Sequence, residues 1–149
     1  MVLTDFKNFP HVGKILGIDW GARRIGLAIS DAGREFFFVR PIMENKPRPA
    51  NAAADVAAVA RAEGVAGIVV GLPLRGDGCE SDTTRAVRRF ADELASIIDL
   101  PIVFINENLT SVEAQERQKA KGKRQKYIDS ESARVILENA AAMIRRSAK

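Results

Sequence analysis

With 149 residues, 46% of them hydrophobic, the chain has the length of one ordinary domain and enough apolar side chains to bury a core without covalent staples. Its single cysteine, Cys79, excludes an internal disulfide and a cysteine-based zinc cluster, and no apolar run nears the roughly 20 residues that a bilayer span needs. Twenty-three Lys and Arg against nineteen Asp and Glu leave a charge of +4, a mild excess that suits a polyanionic partner without requiring one.

One domain over residues 1–149 is expected, with residues 1–13 as a frayed N-terminus. The opening stretch lacks the apolar segment of a secretory signal, so the expected location is the cytoplasm, away from any membrane. Residues 14–20 (KILGIDW) and 24–30 (RIGLAIS) are rich in β-branched side chains and joined by Gly21-Ala22-Arg23, which predicts a hairpin. EFFFVRPIM predicts a third antiparallel strand. After the Pro-rich KPRP, an alanine-rich segment closed by Gly64 predicts a helix with a glycine C-cap. AGIVVGL is a short continuous apolar run, as expected for a parallel strand buried on both faces.

A Gly/Pro-rich loop, GLPLRGDG, leads to a helix whose Val87, Phe90, Ala91, Leu94 and Ile98 form one apolar stripe. PIVFIN predicts another buried strand. Thr110 and Glu113 have capping-box spacing and open a short helix that runs into KAKGKRQK, a basic stretch expected to be a solvated loop. Ala133, Ile136, Leu137, Ala140, Ala141 and Ile144 line the apolar face of a helix from about residue 130 to 146. The order is that of an α/β fold with an antiparallel half followed by a parallel half.

Asp19 ends an apolar strand, where a carboxylate must be paired, metal-bound or solvated at the sheet's edge. Glu107 repeats that placement after PIVFIN, and Asp129 stands at the expected start of the last helix. Taken singly, each acid has a plainer role: Asp129 as a helix N-cap, Glu107 as an exposed loop acid, Asp19 as support for the Asp-x-Gly turn. Together, acids closing two hydrophobic strands and opening a helix could converge at the C-terminal edge of the sheet, where open α/β folds place their sites.

The segment Asp19-Trp20-Gly21-Ala22-Arg23-Arg24-Ile25-Gly26-Leu27-Ala28-Ile29-Ser30-Asp31 resembles the opening D-x-G-x-x-R-I-G-x-A-x-S-D of the YqgF/RuvX family. Gly71-Leu72-Pro73-Leu74 with Asp77-Gly78, then Glu107-x-Leu109-Thr110-Ser111-x-Glu113-Ala114, then Ile128-Asp129-Ser130-x-Ser132-Ala133 resemble its remaining blocks in order. The resemblance implies an RNase H-like (RuvC-like) three-layer fold, a mixed five-stranded sheet with helices on both faces. It also implies a hydrolase of phosphodiester bonds that matures the 5′ end of precursor 16S rRNA in ribosome biogenesis. The alternatives are a Holliday-junction-resolving DNA nuclease and a non-catalytic nucleic-acid-binding ribosome-assembly factor.

By the same resemblance Asp19, Glu107 and Asp129 are the catalytic acids and the ligands of two Mg²⁺ or Mn²⁺ ions, hard cations that suit carboxylate oxygen. Structured RNA, branched DNA and the ribosome are the expected partners, and the chain is expected to be a monomer or weak homodimer. Arg23, Arg24, Arg75, Lys123, Arg124 and Lys126 are the candidate phosphate contacts. Where the family carries Asp-Glu-Arg, this chain has Asn106-Glu107-Asn108, which removes one negative charge and one guanidinium beside the central acid. In an RNase H-like sheet the strand ending at Gly71 lies between those ending at Asp19 and Glu107, setting the latter roughly 10 Å apart.

Overall fold

The β-branched residues of the first two long runs cannot pack in isolation, and the chain pairs them at once. In the computed structural model, which describes residues 1–74, 79–106 and 125–147 (125–130 by backbone alone), β2 (Ile15–Trp20) and β3 (Arg24–Ser30) form the expected hairpin. Gly21 N–H closes the turn onto the Arg24 carbonyl at 2.9 Å. Strand β4 (Phe37–Glu44) continues the antiparallel half along β3, and its register slips between Ile25 and Leu27. Pro41 lies in that irregular stretch of the outermost strand, where a residue without an N–H is tolerated.

Helix α1 (Pro49–Glu63) ends on Gly64 at φ 65°, whose N–H reaches the Ala60 and Arg61 carbonyls. Strand β5 (Gly67–Leu72) is buried at every position, as its unbroken apolar run predicts. Helix α2 (Asp82–Ile97) buries Val87, Phe90, Ala91 and Leu94, with Ile98 buried at its C-cap, so the predicted stripe is the packed face. β6 (Ile102–Asn106) follows, and α3 (Gln125–Ser147) is the last described element. The expected helix at Thr110 and Glu113 and the greater part of the basic stretch lie outside the described residues.

The sheet order is β1-β6-β5-β2-β3-β4, so β5 does lie between β2 and β6. Among the described residues it has six strands where five were expected, because Val2 and Leu3 form a two-residue strand β1 parallel to β6. Within the first thirteen residues, expected to fray, two aromatic side chains are packed while most of the others are exposed. Phe6 and Phe9 are 5% and 1% exposed and meet edge to face, their centroids 5.5 Å apart. Phe9 lies so close to β5 that a Cβ on Gly67 would come within 2.5 Å of its ring. Arg34, itself buried, donates from Nε to the Gly13 carbonyl at 2.8 Å and sets its guanidinium over the Phe9 ring. Burial holds that guanidinium's pKa below its ordinary value.

Two apolar layers flank the sheet. Leu16, Ile18, Ile68 and Val70 face α1 and α2, whereas Ile15, Val69, Val103 and Ile105 face α3. Gly17 takes the α3-facing place between Ile15 and Asp19, and a Cβ there would lie 2.5 Å from Leu137 Cγ and 2.8 Å from the Ala133 carbonyl oxygen. The helix therefore rests on bare backbone.

Two stability predictions follow from these contacts. Gly17→Ala must displace backbone as well as side chain, and we expect a loss of about 1–3 kcal/mol in urea unfolding. Asp31 Oδ1 accepts the N–H groups of Glu35 and Phe36 at 2.9 Å each, fixing the β3–β4 turn. The Phe36 N–H, helped by that of Glu35 and opposed by desolvation, holds this carboxyl below the usual carboxylate range. A depressed carboxylate stabilises the fold above its unfolded pKa of about 3.9, and that contribution disappears as pH falls through the folded value. The urea midpoints of the parent and Asp31→Asn should differ at neutral pH and converge on acidification below the carboxylate range.

Candidate active site

Alternation along β2 puts Ile15, Gly17 and Asp19 on one face, the face covered by α3. Asp19 pairs with Gly26 of β3 and is partly exposed, one residue before the strand ends. Strand pairs Ile18–Val70 and Val70–Phe104 are in register, so Asp19, Gly71 and Ile105 stand at one level of the sheet. β6 ends at Asn106, one residue short of Glu107, which lies outside the described residues.

Helix α3 runs antiparallel to β2. Near its C-terminus Arg145 Nη1 donates to the carbonyl of Arg34, the residue tied to Gly13 before β2 begins, while Ala133 lies over Gly17 further along the strand. Two residues on from Gly17 is about 6.6 Å of strand, and four residues back from Ala133 is about 6 Å of helix. Those steps arrive at Asp19 and at position 129, which is in phase with Ala133, Leu137, Ala140 and Ile144. The helix thus carries the backbone of residue 129 toward the Asp19 end of the sheet.

Asp129 is not at the helix start as expected. α3 begins at Gln125, because the stretch from Gln125 to Ile128 contains neither Gly nor Pro to stop a helix, and residue 129 falls in its second turn. An N-cap role is thereby removed. Lys126, expected in the basic loop, is also helical by backbone, while Arg75, Lys123 and Arg124 lie outside the described residues.

Arg23 is exposed on the β2–β3 turn and Arg24 is the half-buried first residue of β3, both at the same end of the sheet as Asp19. Asn45, which sequence reasoning passed over, clasps this turn: Nδ2 donates to the Gly21 carbonyl at 2.7 Å and its backbone N–H to the Arg23 carbonyl at 2.9 Å. Beyond β5, the Pro73 carbonyl accepts from Thr84 Oγ1, and Leu74 bridges Glu80 across the ends of the Gly-rich loop. Thr84 also closes a reciprocal capping box with Ser81 at the start of α2, so one buried residue fixes both helix and loop. Among the described residues no three acidic, His or Cys side chains cluster, a set that includes neither Glu107 nor the side chain of Asp129. No helix among them is long and apolar enough to cross a membrane.

Among the described residues, a mixed sheet with two helices on one face and one on the other, and an acid one residue before the end of a central strand, has the RNase H-like, RuvC-like fold. T. thermophilus RuvC in complex with a Holliday junction superposes with a TM-score of 0.62 at 13% identity, covering 91% of this chain and 96% of that one. Another T. thermophilus RuvC structure gives 0.58 at 14%, covering 90% and 97%. Residues 13–142 match the RuvX family, described as Holliday junction resolvase, and the chain belongs to that family. A Maridesulfovibrio salexigens relative named "putative pre-16S rRNA nuclease" is 43% identical over 129 residues, 84% of this chain and 95% of its own. A Brucella anthropi relative of the same name is 37% identical over 159 residues, covering 99% and 96%.

Thr84→Val would leave the Pro73 carbonyl and the Ser81 N–H without their hydroxyl partner. We expect a loss of about 1–3 kcal/mol in thermal or urea unfolding, with Ser81→Ala costing less because the Pro73 bond survives.

Proposed function

We propose that the protein is a cytoplasmic, metal-dependent nuclease that trims the 5′ end of precursor 16S rRNA, with Asp19, Glu107 and Asp129 as its acids. The observation that carries this reading is the matched travel of β2 and α3 from their contact at Gly17 and Ala133, which brings position 129 toward the level of Asp19. The family match and the name shared by its relatives favour a ribosomal RNA precursor as substrate.

The donor chemistry fits hard divalent cations. A carboxylate one residue before the end of an otherwise apolar strand, beside glycines in both neighbouring strands, suits an ion and a phosphate at the sheet's edge. Asp19, Glu107 and Asp129 would hold two Mg²⁺ or Mn²⁺ ions, which when bound supply charge neutralisation at the phosphoryl group and a water acidic enough to attack it. The chain's part is placement. The β2 backbone holds Asp19 rigidly by pairing on both sides, α3 sets the depth of residue 129, and Arg23, Arg24 and Arg75 grip flanking phosphates. Lys123, Arg124 and Lys126 extend that grip before and into α3. The lone His11 precedes β2, at the opposite end of the strand from Asp19, so a histidine general base has no place in this scheme.

A second reading, cleavage of branched DNA, is favoured by the family's description and by the fold shared with RuvC. Incubating the protein with precursor 16S rRNA and with a four-way DNA junction, with and without Mn²⁺, separates the two. Metal-dependent shortening of the RNA is expected, with Asp19→Asn reducing it at least about 100-fold while leaving the fold intact by circular dichroism. Cleavage of the junction alone would move the assignment to DNA. No cleavage of either substrate, or an Asp19→Asn protein as active as the parent, would refute the nuclease reading.

A further inference from the structure

We propose that Asn45 is a positioning residue that holds Arg23 in place for phosphate contact. The inference rests on the nucleic-acid reading above and deepens it. A three-residue turn between β2 and β3 leaves carbonyls that neither strand can satisfy, because Gly21 N–H already takes the Arg24 oxygen. Asn45, the first residue after β4, accommodates two of them with different groups. Its side-chain amide donates to Gly21 at 2.7 Å and its main-chain N–H to Arg23 at 2.9 Å. Its own Oδ1 accepts from Lys46 N–H at 2.8 Å, which fixes the amide's orientation.

No neighbouring residue type serves as well. Alanine and serine cannot reach the Gly21 carbonyl, and aspartate would set a negative oxygen against it. The clasp also acts on a selected part of the site. Asp19 is held by its pairing with Gly26, inside the β2–β3 ladder, whereas Arg23 stands exposed on the turn with its carbonyl bonded to Asn45. Releasing the side-chain amide cuts the tie at Gly21 and keeps the main-chain bond to the Arg23 carbonyl, so the turn that carries the arginine loosens at its start while the acid stays where it is. The signature is a loss of grip on the substrate, not of chemistry.

The test measures binding of a precursor 16S rRNA 5′ fragment in EDTA at several salt concentrations, for the parent, Asn45→Ala, Arg23→Ala and the double variant, beside KM and kcat with Mn²⁺. Asn45→Ala is expected to weaken binding about three- to tenfold, to lower the salt slope by just under one and to raise KM more than it lowers kcat. The double variant should bind no more weakly than Arg23→Ala alone. If Arg23→Ala weakens binding and Asn45→Ala does not, or if their effects add, the positioning role is overturned while the nucleic-acid reading stands. If Arg23→Ala itself binds like the parent, the turn is outside the interface and the proposal falls with that assignment. Should Asn45→Ala fail to fold, Asn45→Ser, equally short of Gly21, is read against the same outcomes.

Discussion

The meeting of α3 with the bare backbone of β2 at Gly17 is the contact on which the rest of the molecule depends. Any larger residue would hold the helix off the sheet, since both the Leu137 side chain and the Ala133 main-chain oxygen occupy the space a Cβ needs. Once the helix is seated, its depth and direction are set together, and with them the place of every residue one or two turns upstream. A missing methyl group in the core thus determines what can happen at the rim.

The two ends of the sheet are built differently. At the end where β2 begins, the buried Arg34, the Phe9 ring, Gly13 and Arg145 close the structure with a charge enclosed in apolar surroundings. Two of that guanidinium's nitrogens have no hydrogen-bond partner among the described residues, so removing the side chain's remaining contacts would leave a costly buried charge. At the opposite end, polar side chains donate to main-chain carbonyls of the turns, Thr84 to Pro73 and Asn45 to Gly21, and the Asn45 main-chain N–H takes the Arg23 carbonyl.

Much of this was legible in the sequence because it is periodic. The stripe of Val87, Phe90, Ala91 and Leu94, the continuous run in β5 and the glycine after α1 carry local signals that the fold honours. Asp19 could be singled out because a carboxylate at the end of an apolar strand contradicts its neighbours. What escaped was non-local or too short to repeat. Val2 and Leu3 form a strand only because Ile102 and Val103 lie beside them, and Phe9 is buried only because Gly67 offers it a flat surface. Asn45 looks like an ordinary polar residue after a strand until its distance to Gly21 is known. The start of α3 was misplaced because a lysine-rich composition suggests a loop, while Gln125 to Ile128 can sustain a helix.

The borders of the sheet have a consequence for the molecule in company. β1 offers only two residues for pairing, and β4 is interrupted by a register slip and by Pro41, so neither margin presents a long regular ladder to another chain. Among the described residues, crowded copies therefore find no ready template at either margin for fusing into a continuous β-ribbon.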